Sequence, residues 1–221
     1  MKNRKNSASA PAETTPNERL APRRRPAQMR ALQTVDLVLE AAASEIEREG
    51  LDKLTTKRIA AAAGLSVGAL YEYFPNKQAV VHALVTQWLQ RVAEAVDEVH
   101  PRHGGSRDVM TYLNDQFNLV AQMYEDRPGL GALIHTLDAV PELSQLTRDH
   151  DDRVTSSVAS ALTHYAPHAD AAKVETAARC IGLLSHSFLC AALVYRTAPR
   201  DLMFANARAC WLAIVTPLLM R

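Results

Sequence analysis

Between Thr55 and Lys77 the chain twice spells a hydroxyl cap followed by a short helical run and a breaker. Thr55 and Thr56 offer oxygens to the free N–H groups of a first helix, expected over Lys57–Ala63 and closed by Gly64. Ser66 does the same for a second, Val67–Phe74, which Pro75 and Asn76 end. Two helices this short cannot stand alone, so they must pack against each other and on a third. Ile59, Ala60 and Ala63 supply one apolar side, and Leu65, Leu70 and Phe74 the other. Small alanines let the two rods come close.

The flanking sequence provides the third helix. From Arg30, Leu32, Val35, Leu39, Ala42 and Ile46 recur at three- and four-residue steps until Gly50 stops the run. After Asn76 a longer helix carries Val81, Leu84, Trp88, Val92 and Val96 on one side and fades at His100-Pro101, before a loop through Gly104-Gly105. Beyond Ser106, helices are expected near 107–125, 128–138, 141–165, 169–196 and 199–220, with breaks at Pro128, Pro141, Pro167 and Pro199. No stretch alternates apolar and polar residues, and aromatics are only 5% of the chain, so the fold class is all-α.

Charge is unevenly spread. Residues 1–30 hold eight basic groups against two acidic ones, although the whole chain nets only +1. Residues 1–27 have no hydrophobic period and are expected to form a disordered basic arm, with no apolar run that would make a secretory signal. A basic arm suits a polyanion, and equally a solvated tail. Lys57 and Arg58 sit in the first turn of a helix, where the helix dipole disfavours cations unless an anion docks there.

The run from Arg30 to about Leu84 resembles the DNA-binding domain of the tetracycline-repressor (TetR) family. The likeness rests on Gly50, Thr55-Thr56, Ile59-Ala60, Ala63-Gly64-Leu65-Ser66, Gly68, Leu70-Tyr71, Tyr73-Phe74 and Lys77. It implies a three-helix helix-turn-helix domain over 28–78, continuing into a connecting helix to about 99, whose second short helix enters the major groove. Thr56, Tyr71 and Lys77 would then hold phosphates, and Arg30, Thr55, Lys57, Arg58 and Ser66 are counted among the DNA-binding residues. Val67, Gly68, Ala69 and Tyr73 would face the groove floor. Because Val67, Gly68 and Ala69 carry no hydrogen-bonding side chains, base reading would fall to thymine methyls, to Glu72 accepting from a cytosine amine, to Tyr73, or to DNA shape.

The resemblance further implies that residues 79–221 form a helical domain that dimerises and holds a small-molecule effector. Helices near 169–196 and 199–220 are apolar around most of their circumference and would pair with a second copy in a four-helix interface. Such a homodimer would present its recognition helices to a palindromic double-stranded operator with half-sites ~34–36 Å apart. Trp88, Phe117, Met123, His135 and His186 are the candidate pocket residues, each also fit for plain core.

Rival chemistries find less support. Gly64-Leu65-Ser66-Val67-Gly68 spells G-x-S-x-G, but a hydrolase nucleophile elbow needs a strand before its serine, and Ile59–Ala63 favours helix. No Glu-x-x-His occurs, so His150-Asp151-Asp152 is expected to be a charged surface turn, and neither metal nor cofactor is assigned. Cys180, Cys190 and Cys210 lie in apolar surroundings and are expected to be buried, reduced thiols of a cytoplasmic protein. The stretch from Cys180 to Tyr195 reads as too short and too polar to cross a membrane. A ligand-responsive repressor is the leading expectation. A small-molecule-binding interaction protein with little DNA specificity is the alternative, and a helical enzyme the remotest.

Overall fold

The computed structural model describes residues 29–104, 108–127, 129, 133 and 141–220. The basic arm (1–27), most of the helix expected near 128–138 and the candidate pocket residue His135 therefore lie outside the described residues. Among the described residues eight α-helices follow in order: α1 (Met29–Glu49), α2 (Thr56–Ala62), α3 (Val67–Tyr73), α4 (Lys77–Glu98), α5 (Val109–Asp126), α6 (Pro141–Tyr165), α7 (Ala171–Leu189) and α8 (Arg200–Leu219). Single 3₁₀ turns occupy Leu51–Lys53 and Pro101–His103. There is no strand among the described residues, as the all-α expectation required.

Most starts and stops have local causes. Side-chain oxygens of Thr55, Ser66, Asn76, Asp108 and Asp170 each accept from a backbone N–H in the first turn of the following helix. Gly50 and Gly64 take the left-handed conformation (φ +83° and +68°) that side chains resist. Pro167 does not open α7, which starts four residues later under the Asp170 cap. α7 runs on into a π-helical turn over Cys190–Val194, where Tyr195 N–H reaches back to the Cys190 carbonyl (2.8 Å).

α1, α2, α3 and the first turns of α4 share a small core of Val38, Ala42, Ile59, Leu70, Phe74 and Val80, each fully buried. Leu32, expected on that side, is 45% exposed because the first turn of α1 projects past the core. The larger bundle of α4–α8 is welded by aromatics. Phe117 meets Phe204 (4.7 Å between ring centroids) and Trp211 (4.9 Å) edge to face, tying α5 to α8. Trp88 and Tyr124 (5.7 Å) tie α4 to α5. α4 thus belongs to both bodies. Gln87 and Asp36 (3.5 Å), and the Arg127–Glu40 ion pair, reinforce the junction.

α7 with its π turn, and α8, are each long and apolar enough to cross a membrane by length and composition, contrary to the expectation for that stretch. In this fold both pack against the bundle and keep an apolar outer face, on which Leu183, Leu202 and Leu212 are each more than half exposed.

Candidate nucleic-acid interface and internal cavity

α2 and α3 meet through a tightly closed turn. Leu65 N–H bonds to Ala60 carbonyl (2.8 Å) and Gly64 N–H to Ala61 carbonyl (3.2 Å), the paired closure that a left-handed glycine permits. Ser66 then caps α3, its Oγ accepting from Ala69 N–H at 3.0 Å. Ile59 and its neighbours are helical, so Ser66 lacks the strand that a nucleophile elbow needs. Gly64-x-Ser66-x-Gly68 is a turn and a cap.

The pair of hydroxyls expected to hold a phosphate is brought together: Thr56 Oγ1 and Tyr71 OH lie 3.3 Å apart across α2 and α3. Thr55 uses its hydroxyl on Arg58 N–H (3.2 Å). Lys57 is exposed beside it, and Lys77, at the first position of α4, is half-buried. Arg30 is exposed on the first turn of α1, carried by a different helix. On α3, Gly68 and Glu72 share one exposed face with Tyr71 at its border. Ala69 is half-buried, while Val67 and Tyr73 lean on the core and present only part of their surface.

Arg58 departs from expectation. Its guanidinium is bound to Glu45 (2.8 Å) and Glu49 (3.2 Å) of α1, and Arg48 pairs with Glu45 as well. The anion that offsets a cation in the first turn of α2 is therefore the protein's own. Arg58 holds the Glu45 carboxyl below the usual carboxylate range, and Lys53 and Arg58 do the same for Glu49. Arg58 thus fastens α2 to α1, its guanidinium engaged by two carboxylates.

Gly68 has no internal reason to be glycine. Its φ is unremarkable, and an added Cβ would meet only Ser66 Oγ at 3.8 Å, an ordinary contact. A glycine inside a helix costs roughly 0.5–1 kcal/mol relative to alanine.

Inside the larger bundle, α4, α5, α6 and α7 enclose a cavity of about 240 Å³. Three of the five expected pocket residues line it: Trp88, Phe117 and His186. Met123 is packed against the core instead and does not reach it. Sequence reasoning missed Gln116, Tyr124, His150, Thr155 and Ser185 in the wall. His186 Nδ1 lies 3.2 Å from Tyr124 OH, and its Nε2 3.7 Å from Cys190 Sγ.

His150-Asp151-Asp152 corrects a second expectation. The three residues lie within α6 and form no surface turn. His150 is 8% exposed and faces the cavity, whereas Asp152 points outward to Arg179 (3.1 Å). Burial, with Arg153 and His186 adding to it, pushes the His150 imidazole down to about 4. The sequence held the signal: Leu143, Leu146, His150, Val154 and Val158 follow helical steps that put the histidine on the apolar side. The cysteines divide as well. Cys190 is buried, with its thiol pushed up to about 11 by burial, but Cys180 is exposed and Cys210 half-exposed.

A capped helix pair with a bare leading face, set on a helical bundle that encloses a cavity, defines a helix-turn-helix protein with an appended helical domain. The chain belongs to the tetR family of bacterial regulatory proteins. That family's N-terminal model matches residues 38–84, and the model "Tetracyclin repressor-like, C-terminal domain" matches residues 108–212. The chain is 30% identical over 92 residues to an uncharacterized HTH-type transcriptional regulator, YvdT, of Bacillus subtilis; the match covers 40% of this chain and 46% of that one. It is 39% identical over 49 residues to the nucleoid occlusion factor SlmA of Haemophilus ducreyi, covering 22% of this chain and 24% of that one. The chain thus spans less than half the length of the curated relatives it matches. A transcriptional regulator of Rhodococcus shares the fold, with a TM-score of 0.70 at 15% identity over 85% of this chain and 98% of that one.

Proposed function

We propose that this chain is a cytoplasmic, sequence-specific DNA-binding regulator, a repressor that acts as a homodimer on a palindromic operator and responds to a small molecule. Residues 28–78 would read DNA and residues 79–221 would dimerise and bind the effector. The observation that carries the reading is Gly68: a destabilising residue on the exposed face of α3, with no neighbour that requires it. Close approach of an outside surface accounts for it. The Thr56–Tyr71 hydroxyls, Lys57 and Lys77 flank that face as ligands for phosphate.

The apolar outer faces of α7 and α8 support pairing with a second copy. Exposed leucines gathered on two adjacent helices, Leu183 on α7 with Leu202 and Leu212 on α8, suit a contact between copies. Coupling follows from α4, which starts at Lys77 and carries Trp88 into the cavity wall. A ligand with different affinities for two tilts of α4 would shift the balance between binding and released heads.

The test is selection from a pool of randomised duplexes by the full-length protein, followed by a salt titration on the enriched site. The reading expects a palindrome and an affinity that falls steeply with salt. Retention of every duplex alike, or of none at low ionic strength, would sink it.

A further inference from the structure

Three polar atoms in the cavity wall are buried without a hydrogen-bond partner: Trp88 Nε1, Gln116 Oε1 and His150 Nδ1. They come from α4, α5 and α6, and their residues are 4%, 6% and 8% exposed. Buried polar atoms are almost always bonded, because an unmade bond loses solvation without return. Three such residues around one hollow, from three helices, point to an occupant that completes them.

Their chemistry limits that occupant. The His150 ring bonds to the Leu89 backbone carbonyl, and the unpartnered nitrogen is Nδ1. The bonded nitrogen is then Nε2, which keeps the proton of the neutral ring and leaves Nδ1 as a lone pair. The wall thus offers one N–H, from the indole, and two acceptors. Among the described residues the charged members of the lining are Asp151 and Arg179, Arg179 being bridged to Asp152 at a partly exposed rim, and Arg153 acts on His150 from outside the lining. A carboxylate placed here would be desolvated without a counter-charge. The remaining wall, including Leu89, Val92, Phe117 and Leu189, is apolar. An apolar cavity of ~150 Å³ holds benzene, so one of about 240 Å³ has room for a ring with a short chain.

We propose that the cavity takes an uncharged, hydroxyl-bearing apolar molecule, whose oxygen accepts from Trp88 Nε1 and whose O–H donates to His150 Nδ1 or Gln116 Oε1. This rests on the reading of the cavity as the effector site.

Calorimetric titration of the full-length protein with para-propylphenol, para-propylbenzoate and propylbenzene compares three polar ends on one apolar body. The phenol should bind about tenfold more tightly than either of the others, the effect of one to two made hydrogen bonds. Trp88→Phe, and His150→Leu combined with Gln116→Leu, which removes both acceptors, should each cut the ratio of phenol to propylbenzene affinity toward one; the single variants His150→Leu and Gln116→Leu serve should the double variant fail to fold, and between them at least one should lower that ratio. A benzoate that binds best, or a phenol no better than propylbenzene, overturns the assignment and leaves the three atoms to water. Failure of all three ligands overturns the cavity as a binding site. Duplex binding by the same ligand-free samples keeps the two readings apart: lost DNA binding with intact phenol binding removes the regulator and keeps the site.

Discussion

The first turn and the middle of α4 stand in different surroundings. Around Lys77 the polar groups are matched: caps on Thr55, Ser66 and Asn76 hold the helix starts, and Arg58 satisfies Glu45 and Glu49 of α1. Around Trp88 three buried polar atoms have no partner. The head is complete as a folded object and turns its remaining groups outward. The body keeps unmatched groups inside. A protein that reads one molecule by surface contact and another by enclosure would be built this way, so the contrast is a guide to where each partner sits.

The sharpest way to break the contrast is to unfold one side alone. Phe74 is fully buried in the head and far along the chain from the bundle aromatics. Phe74→Ala should cost about 3–5 kcal/mol. In a denaturant titration the head should then melt first, with the environment of Trp211 retained; a single unchanged transition would show that the two bodies unfold as one.

Acid should separate them next. His150 is depressed to about 4 from an ordinary 6.5, so it takes up a proton on unfolding. Its contribution is present above pH 6.5 and is lost as pH falls toward 4, on the order of 3 kcal/mol. His82 and His100, shifted in the same direction by burial, add to that window. Glu45 and Glu49 lie below their ordinary 4.5, so their contribution is lost only under more acid conditions. The bundle should therefore loosen at a higher pH than the head, and His150→Leu should flatten the dependence between pH 6.5 and 4. Thermal melts across that range check both.

Smaller effects address the outward face. Tyr71→Phe should weaken operator binding by about 1.5–3 kcal/mol, the worth of a hydrogen bond to a charged group, and leave ligand binding in the cavity unchanged. Lys77→Ala should weaken binding to all duplexes alike and lower the salt slope by about one. Smallest, and of opposite sign in two measurements, is Gly68→Ala. It should stabilise the head by roughly 0.5–1 kcal/mol and yet reduce affinity for the operator. A stabilised variant with undiminished affinity would leave the glycine unexplained.

What could be read in advance follows the same division. Thr55, Gly64 and Ser66 act on residues no more than five positions away, so their roles were legible from the sequence, as was the helical period of α4. The ion pairs of Arg58 are not legible in the sequence, because its partners lie nine and thirteen residues upstream on another helix. Asn76 reads in the sequence as the end of α3, although its side chain opens α4 by accepting from Ala79 N–H at 2.8 Å. His150 was hidden by two aspartates beside it, whose charge masked a periodic apolar stripe. The cavity was partly legible, since Trp88, Phe117 and His186 stood out as bulk with polar handles. Its closure by Gln116, His150 and Ser185 depends on how four helices cross, which no local pattern states.

That one helix serves both bodies restricts how such a chain could be rebuilt. Adding a single residue between Leu84 and Trp88 would advance everything before it by ~1.5 Å and swing it through about 100°. The DNA-facing surface would then point elsewhere while each half kept its own packing. Grafting this head onto a different bundle would succeed only where the splice preserves the angular phase of that shared axle, and a library of hybrids should recover function with a helical periodicity in linker length.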